Sequence, residues 1–334
     1  MPYFKHPHSV GLVYYHSINE YREDRIRVPN IVTPTAFEAQ IQYLASIAKV
    51  IPIQEYLDHI KKKEPLPQKS IVITFDDGYK DNLTIASPIL QKYGVPATFF
   101  ISTGYIGTGK MKWEDQLSCL IRRSKVDVIS LGLQARYISF NIGSEKDKFR
   151  AINMLVNILG YLTQSERESV LDELAKQLKV KCTDQVDVMM TWDDVRKLAD
   201  TPGFSIGSHT VTHQHLTRIS LDNVKWEVTN SKEHIEREIG RAVTLFSYPK
   251  GDFNKDVIAA VQSAGYTSAG TIEYGQNNIY SDPFRLKRVI ALNQRGVRFS
   301  IGMWLRTSPL GELLRRGYNI LISVNRSGVN YQQG

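Results

Sequence analysis

Apolar residues recur along this chain in two periods. Runs in which nearly every residue is apolar or β-branched predict buried strands of a parallel sheet: VGLVYY at Val10–Tyr15, IVITF at Ile71–Phe75 and ATFFI at Ala97–Ile101. Phe204–Ile206, Thr244–Ser247, Thr267–Ala269 and Arg285–Leu292 extend the series. Between these runs the apolar positions fall at helical spacing. Pro34–Ala48, Asn82–Tyr93 before Gly94, Leu221–Ile239 before Gly240 and Lys255–Ala264 before Gly265 are the predicted helices. Strands alternating with helices predict an α/β fold with crossover helices.

The rhythm breaks between about residues 110 and 190. Trp113–Arg122, Glu145–Leu162 and Gln164–Leu178 read as helices and Val126–Phe140 as a hairpin, so this stretch is expected to be a mostly helical insertion. Thr191-Trp192-Asp193-Asp194 then opens a helix, with Thr191 as N-cap and Asp194 at the acidic position of a capping box, a local role for these acids. The domain organisation expected is 1–292 as one domain carrying that insertion and 293–334 as an amphipathic, basic extension. Within the extension, Arg298–Val324 mixes Met303, Trp304, Leu310, Leu313 and Leu314 with Arg306, Arg315 and Arg316. Two readings stay open: a helix packed on the domain with a basic outer side, or a segment lying on an anionic membrane face.

The 334 residues are 42% hydrophobic and 23% charged, which excludes a disordered or fibrous chain. Forty-two Lys and Arg against 34 Asp and Glu leave a net charge of +8, suited to an acidic partner. The basic residues are scattered without interleaved aromatics, so nucleic acid is not the expected partner. Cys119 and Cys182 are too few for a disulfide scaffold; a single bridge stays open, and two free thiols in a reducing compartment are the simpler expectation. The N-terminus shows no basic stretch followed by an apolar run, and no apolar window is long enough to span a bilayer. The expectation is a cytoplasmic protein, peripheral at the inner membrane face if the extension touches lipid.

Three segments carry chemistry. Thr74-Phe75-Asp76-Asp77-Gly78-Tyr79 puts two adjacent carboxylates at the end of a predicted parallel strand, where barrel active sites are built. A capping pair in a βα loop would look the same. Ser208-His209-Thr210-Val211-Thr212-His213 spaces two imidazoles at i and i+4, on one face of a helical turn, which is metal-ligand spacing. With a carboxylate from another strand end they would make a two-His-one-carboxylate set. Phe246-Ser247-Tyr248-Pro249-Lys250-Gly251 is a tight turn whose backbone N–H groups could face a ligand.

Together, in this order, TFDDG, SHTVTH and the YPKG turn resemble the polysaccharide deacetylase family, also called the NodB-homology domain or carbohydrate esterase family 4. The neighbouring runs GVPATFFISTGYIG and MMTWDDVRKLADTPGFSIGSH are similar to the family as well. The resemblance spans about Ser9 to Leu292 and implies a distorted (β/α)7 TIM-like barrel. It implies Asp76 as general base, and Asp77, His209 and His213 as holders of a divalent metal, Zn²⁺ first, with Co²⁺, Mn²⁺ or Ni²⁺ able to substitute. It implies that the turn at Tyr248 and Lys250 faces the substrate and the oxyanion. Many members carry an Arg where this chain has Ser247; the missing cation is expected from Arg288, on the face of its strand opposite Arg285. The family's Leu-x-His motif is absent after His234. Tyr14-Tyr15-His16-Ser17-Ile18 resembles the segment that opens the exopolysaccharide-type subgroup, which makes His16 the candidate general acid.

The resemblance implies removal of N-acetyl groups from an amino sugar in exopolysaccharide, capsule or lipopolysaccharide assembly, with an N-acetylated glycan or glycolipid as substrate. Hydrolysis of a formyl group or another linear amide would use the same residues. A carbohydrate- or lipid-binding module without activity is the alternative of another class.

Overall fold

A computed structural model describes residues 9–20, 31–66, 69–133, 136–182 and 188–307. Its sheet is built on β5 (Ser70–Phe75), whose six residues are all buried. β5 pairs in parallel with β1 (Val10–Tyr15) on one side and β6 (Ala97–Ile101) on the other. β9 (Phe204–Ser208), β10 (Leu245–Ser247) and β11 (Ser268–Gly270) continue beyond β6, and the two-residue β12 (Val289–Ile290) pairs with the other edge of β1. Leu286 bridges Gly270 of β11, and Val289 and Ile290 then pair with Val13 and Tyr14. One short stretch of chain thus runs from the last strand back to the first. The result is a TIM-like parallel sheet of seven strands curved into a half-barrel with helices around it. Burial on both faces explains why the strands read as unbroken apolar runs.

Arg285–Leu292 differs from the expected single strand. Pro283–Arg285 is a 3₁₀ turn capped by Asp282, whose Oδ1 accepts from Phe284 N–H at 2.8 Å, so the stretch pairs only through the Leu286 bridge to β11 and then through β12. Pro283 also has no N–H to give a sheet.

The stretch between β6 and β9 has its own apolar core. α4 (Trp113–Arg123), the hairpin β7 (Val128–Leu133) and β8 (Arg136–Asn141), α5 (Glu145–Leu159) and α6 (Gln164–Leu178) bury Leu117, Ile121, Phe140, Leu155, Leu159 and Leu174 against one another. The cysteines correct the sequence expectation: Cys119 of α4 and Cys182, 63 residues apart, form a disulfide with Cα atoms 6.3 Å apart. An even pair so distant in sequence gives no local sign of bonding; only the packing of α4 beside the end of α6 brings the sulfurs together. With both sulfurs bonded, the cysteines no longer point to a reducing compartment.

α7 (Trp192–Asp200) begins with the predicted capping box, Thr191 and Asp194. α1 (Pro34–Ile47) packs against the last described helix, α10 (Gly296–Thr307), through Tyr43 and Phe299, and Phe299 and Met303 are buried. The rest of the predicted amphipathic segment, including Leu310, Leu313, Leu314, Arg315 and Arg316, lies outside the described residues. No helix among the described residues is long and apolar enough to cross a membrane.

Candidate active site

The site residues sit where the strand register puts them, at the carboxyl ends of neighbouring strands. Tyr15 pairs with Phe75, Ile101 with Ser208, and Ser247 with Gly270. The next residues are therefore His16, Asp76 and His209, converging on the same rim.

Asp76 is 3% exposed and Arg288 1% exposed. Arg288 Nη1 donates to Asp76 Oδ1 at 2.8 Å and Nη2 to Oδ2 at 2.7 Å. Nη2 also reaches Ser247 Oγ at 2.7 Å, and Nε donates to the Thr271 carbonyl at 3.0 Å. The expected cation thus sits on Asp76, in the space that the small Ser247 leaves. Burial opposes ionisation of Asp76, but Arg288 and then His209 outweigh it and hold the carboxyl below its ordinary range. Arg285, half exposed, lies 3.7 Å from Glu273 instead.

Asp77 is fully buried and adopts φ +82°, a left-handed backbone uncommon for a non-glycine residue. Gly78 follows at φ +94°, and a Cβ there would stand 2.9 Å from Ile106 Cδ1, so the turn needs glycine. This turn aims the two carboxylates differently. Asp77 Oδ1 faces His209 Nε2 at 3.6 Å and His213 Nε2 at 3.3 Å. Neither oxygen of Asp77 has an aligned hydrogen bond among the described residues, and one donor atom from each of the three residues lies within 4.8 Å of the others. A carboxylate and two imidazole nitrogens, buried and convergent, fit a divalent metal. Burial works against the Asp77 charge, yet Lys112 and the imidazoles of His213, His16 and His209 keep it below the usual carboxylate range.

The two histidines are not on a helical turn. Thr210 and His213 have positive φ, +69° and +56°, and the loop is folded by Glu227 of α8 (Leu221–Ile239). Glu227 accepts from Val211 N–H at 2.7 Å, Thr212 N–H at 3.0 Å and the Thr212 hydroxyl. His209 Nδ1 rests on the Ser247 carbonyl at 2.8 Å. Burial depresses both imidazoles, His213 to about 3, where Lys112 adds to the effect.

His16 is partly buried beside Asp76, and its carbonyl accepts from Asn82 Nδ2 at 2.7 Å. Asp81 holds the next two residues, accepting from Ser17 Oγ at 2.5 Å and Ile18 N–H at 3.0 Å. Burial pushes the His16 imidazole down to about 4, against the upward pull of Asp77 and Asp76.

Tyr248 differs from its expected place in substrate binding. Its hydroxyl donates to the Phe284 carbonyl at 3.1 Å and its N–H to the Gly270 carbonyl at 3.1 Å, so both donors are used within the fold. Lys250 keeps the rim position with φ +57°, and its Nζ lies 2.8 Å from Glu114.

Sequence reasoning missed the charged residues that open α4. Lys112, 2% exposed, places Nζ 2.5 Å from Asp77 Oδ2, and Glu114, equally buried, lies 3.0 Å from His213 Nδ1. Burial opposes both charges, but Asp77, Glu114 and Asp115 raise the Lys112 pKa, while Lys250, Lys112 and His213 hold Glu114 well below its ordinary value. The only sequence signal was a Lys-Trp-Glu-Asp run, which reads equally well as acids favouring a helix N-terminus.

A cavity of about 650 Å³ lies to one side, between the inserted helices and the His-bearing loop, lined by Tyr105, Trp113, Arg167, Thr212 and Trp226 among others. None of Asp76, Asp77, His209 and His213 lines it.

Known proteins match this chain in sequence and in fold. The protein YxkH of Bacillus subtilis (strain 168) is 24% identical over 285 residues, 85% of this chain and 71% of that one. The poly-beta-1,6-N-acetyl-D-glucosamine N-deacetylase of Staphylococcus aureus (strain MSSA476) is 41% identical over 88 residues, 26% of this chain and 30% of that protein. Among solved structures, the Streptococcus pyogenes deacetylase PplD in complex with acetate superposes with a TM-score of 0.59 at 18% identity, covering 91% of this chain and all of that one. IcaB from Ammonifex degensii gives 0.57 at 15% identity, covering 89% and 96%. These two likenesses establish the fold. The family model described as polysaccharide deacetylase matches residues 63–269, more than half of the chain and the whole stretch that carries the Asp pair, the two histidines and the turn after them. The chain belongs to the polysaccharide deacetylase family.

Proposed function

We propose that this enzyme is a metal-dependent hydrolase that removes N-acetyl groups from an amino sugar in a polysaccharide or lipid-linked glycan. The observation that carries the reading is the division of labour between two adjacent carboxylates. Asp76 is tied to Arg288, and Asp77 faces two imidazole nitrogens. Asp77, His209 and His213 would hold the metal, Zn²⁺ first among Co²⁺, Mn²⁺ and Ni²⁺. Such an ion acidifies water and polarises an amide carbonyl.

The chain's own residues supply the rest. Asp76, kept ionised by Arg288, takes the proton of the attacking water as its oxygen bonds to the amide carbon. The backbone N–H of Lys250 stands for the oxyanion. The carbon–nitrogen bond then breaks, and the nitrogen must gain a proton to leave as an amine. His16 is the candidate donor. With its pKa near 4 it enters neutral, so the proton it delivers to the amine is the one Asp76 took from the attacking water, which leaves both groups as they began.

The name of the Staphylococcus aureus relative supports a β-1,6-linked N-acetylglucosamine polymer as the first substrate to try. The separate apolar core of residues 113–178 supports reading about 110–190 as an insertion in a catalytic domain of residues 1–292, with 293–334 as an extension. The test is mass spectrometry of poly-β-1,6-N-acetylglucosamine oligomers and lipid-linked N-acetyl sugars incubated with Zn²⁺-loaded protein. Loss of acetyl masses supports the reading. Loss of formyl alone from formylated analogues moves it to another linear amide, and no mass change on any of them, with metal bound, leaves a binding module.

A further inference from the structure

Two imidazoles face Asp77, and a neutral imidazole has only one bare nitrogen. For Nε2 to face a cation, Nδ1 must carry the proton and something must accept it. His209 meets this condition with a main-chain acceptor, the Ser247 carbonyl at 2.8 Å. Among the described residues, no carbonyl is hydrogen-bonded to His213 Nδ1. What lies there is Glu114 Oε1, at 3.0 Å, on the ring side opposite Asp77. Glu114 therefore cannot join the Asp77 cluster as a ligand.

Glu114 is buried, a costly place for a carboxylate without partners. Oε1 and Oε2 of Glu114 and Nδ1 of His213 have no aligned hydrogen bond among the described residues. Glu114 Oε1 lies within hydrogen-bond reach of His213 Nδ1, and such bonds commonly straighten only when a site is loaded. Lys250 Nζ, 2.8 Å from Glu114 Oε1, offsets the negative charge and ties the same carboxylate to the turn after β10. One side chain thus touches both the His-bearing loop and the turn that would meet the oxyanion, and it belongs to α4, the first helix of the inserted stretch.

We propose that Glu114 is a positioning residue: it holds His213 with the proton on Nδ1 and Nε2 bare toward Asp77, and it locks that loop to Lys250. This rests on the reading that Asp77, His209 and His213 hold a divalent metal. It gives the inserted segment a task in the active site, since α4 delivers the acceptor that the barrel lacks.

The experiment strips metal from the full-length protein and titrates Zn²⁺ by calorimetry for wild type and Glu114→Gln. Gln keeps the size and removes the charge. A dissociation constant raised about 10- to 100-fold, in protein whose circular dichroism is unchanged, is the expected result. An unchanged constant in folded Glu114→Gln overturns the assignment while leaving the metal site standing; absence of Zn²⁺ binding by wild type overturns both. Long-range ¹H–¹⁵N spectra of metal-free wild type provide a check that needs no variant. They should show His213 protonated at Nδ1, and protonation at Nε2 overturns the proposal even if Glu114→Gln does not fold. A purely structural Glu114 would lower the melting temperature and move neither readout.

Discussion

Arg288 grips both oxygens of Asp76, at 2.8 and 2.7 Å, from 212 residues further along the chain. This fork is what makes two neighbouring, equally buried carboxylates chemically different. Asp76 is saturated by donors and points at the rim, whereas Asp77 keeps an oxygen turned to His209 and His213. Asp76→Asn should therefore keep Zn²⁺ affinity near wild type and lower kcat at least about 10²-fold, the contribution expected of a general base. Near-normal acetate release from a substrate that wild type deacetylates would remove Asp76 from that role.

Arg288→Met would leave a buried carboxylate without its cation. Breaking such a pair costs about 3–5 kcal/mol of stability. The pH dependence follows from the sign of the shift. Arg288 lowers the Asp76 pKa against burial, so its loss raises that pKa, and the base becomes protonated at a pH where wild type is still active. The acid limb of kcat/KM should move to higher pH. A limb that stays in place would mean that Asp76 does not report there.

Gly270 leaves the space in which Arg288 lies. A Cβ at this position would stand 2.7 Å from Nε and 2.9 Å from Cδ of Arg288. The guanidinium is buried and held by the Thr271 carbonyl, so it can yield only by shifting off Asp76. Gly270→Ala is expected to lower kcat about 10²-fold with Zn²⁺ affinity retained, since a displacement near 1 Å suffices for that loss. Kinetics with a short N-acetylated oligomer decide it, and wild-type kcat would show that the fork tolerates the methyl.

What was legible in the sequence is whatever a residue does within its own element. The bounds of β1, β6, α6 and α8 follow from periodicity and caps alone, as does the Thr191–Asp194 box. Asp76, Asp77, His209 and His213 could be picked out because each lies in a recognisable motif that follows a strand. Arg288 could be named only by asking where the cation missing at Ser247 might come from. Glu114, Lys112 and Glu227 could not be named at all. Each is an ordinary charged helix residue whose role comes from facing another element, and that information lies in packing. α2 (Ile53–Lys62) was missed because Ile53, Tyr56 and Leu57 are too short an apolar series to stand out. The Cys119–Cys182 bond was misjudged for the same reason as Glu114: the partners are distant in sequence.

That bond closes a loop across the inserted segment. With its ends 63 residues apart in sequence, the loop-closure estimate gives roughly 4 kcal/mol of stabilisation, and measured cases run at about 2–4 kcal/mol. Cys119→Ala/Cys182→Ala should lower the unfolding free energy extrapolated from urea melts by an amount in that range, and dithiothreitol should do the same to wild type. No change in either would show that the apolar core of residues 113–178 holds without the cross-link.

Buried imidazoles set the response of the metal-free protein to acid. Burial lowers His16 to about 4 and His213 to about 3, and it lowers His209 as well. The same side chains in the unfolded chain titrate near 6.5. Between those values the unfolded state binds more protons, so stability is fully present above about pH 6.5 and is lost as pH falls toward 4. Asp81 works the other way. Burial raises it to about 6, so between its ordinary 3.8 and 6 the folded state binds the extra proton and gains as pH falls. One carboxyl opposes three imidazoles, and the stabilisation from Asp76, Asp77 and Glu114, all held below their ordinary range, is lost only under more acidic conditions. Urea melts in the presence of a chelator should show the midpoint falling steadily from pH 7 to pH 5. His16→Gln should flatten part of that slope without touching Zn²⁺ affinity. A midpoint that holds constant or rises over this range would mean that the imidazoles are not buried as neutral groups, and the environment assigned to His16 would have to be redrawn.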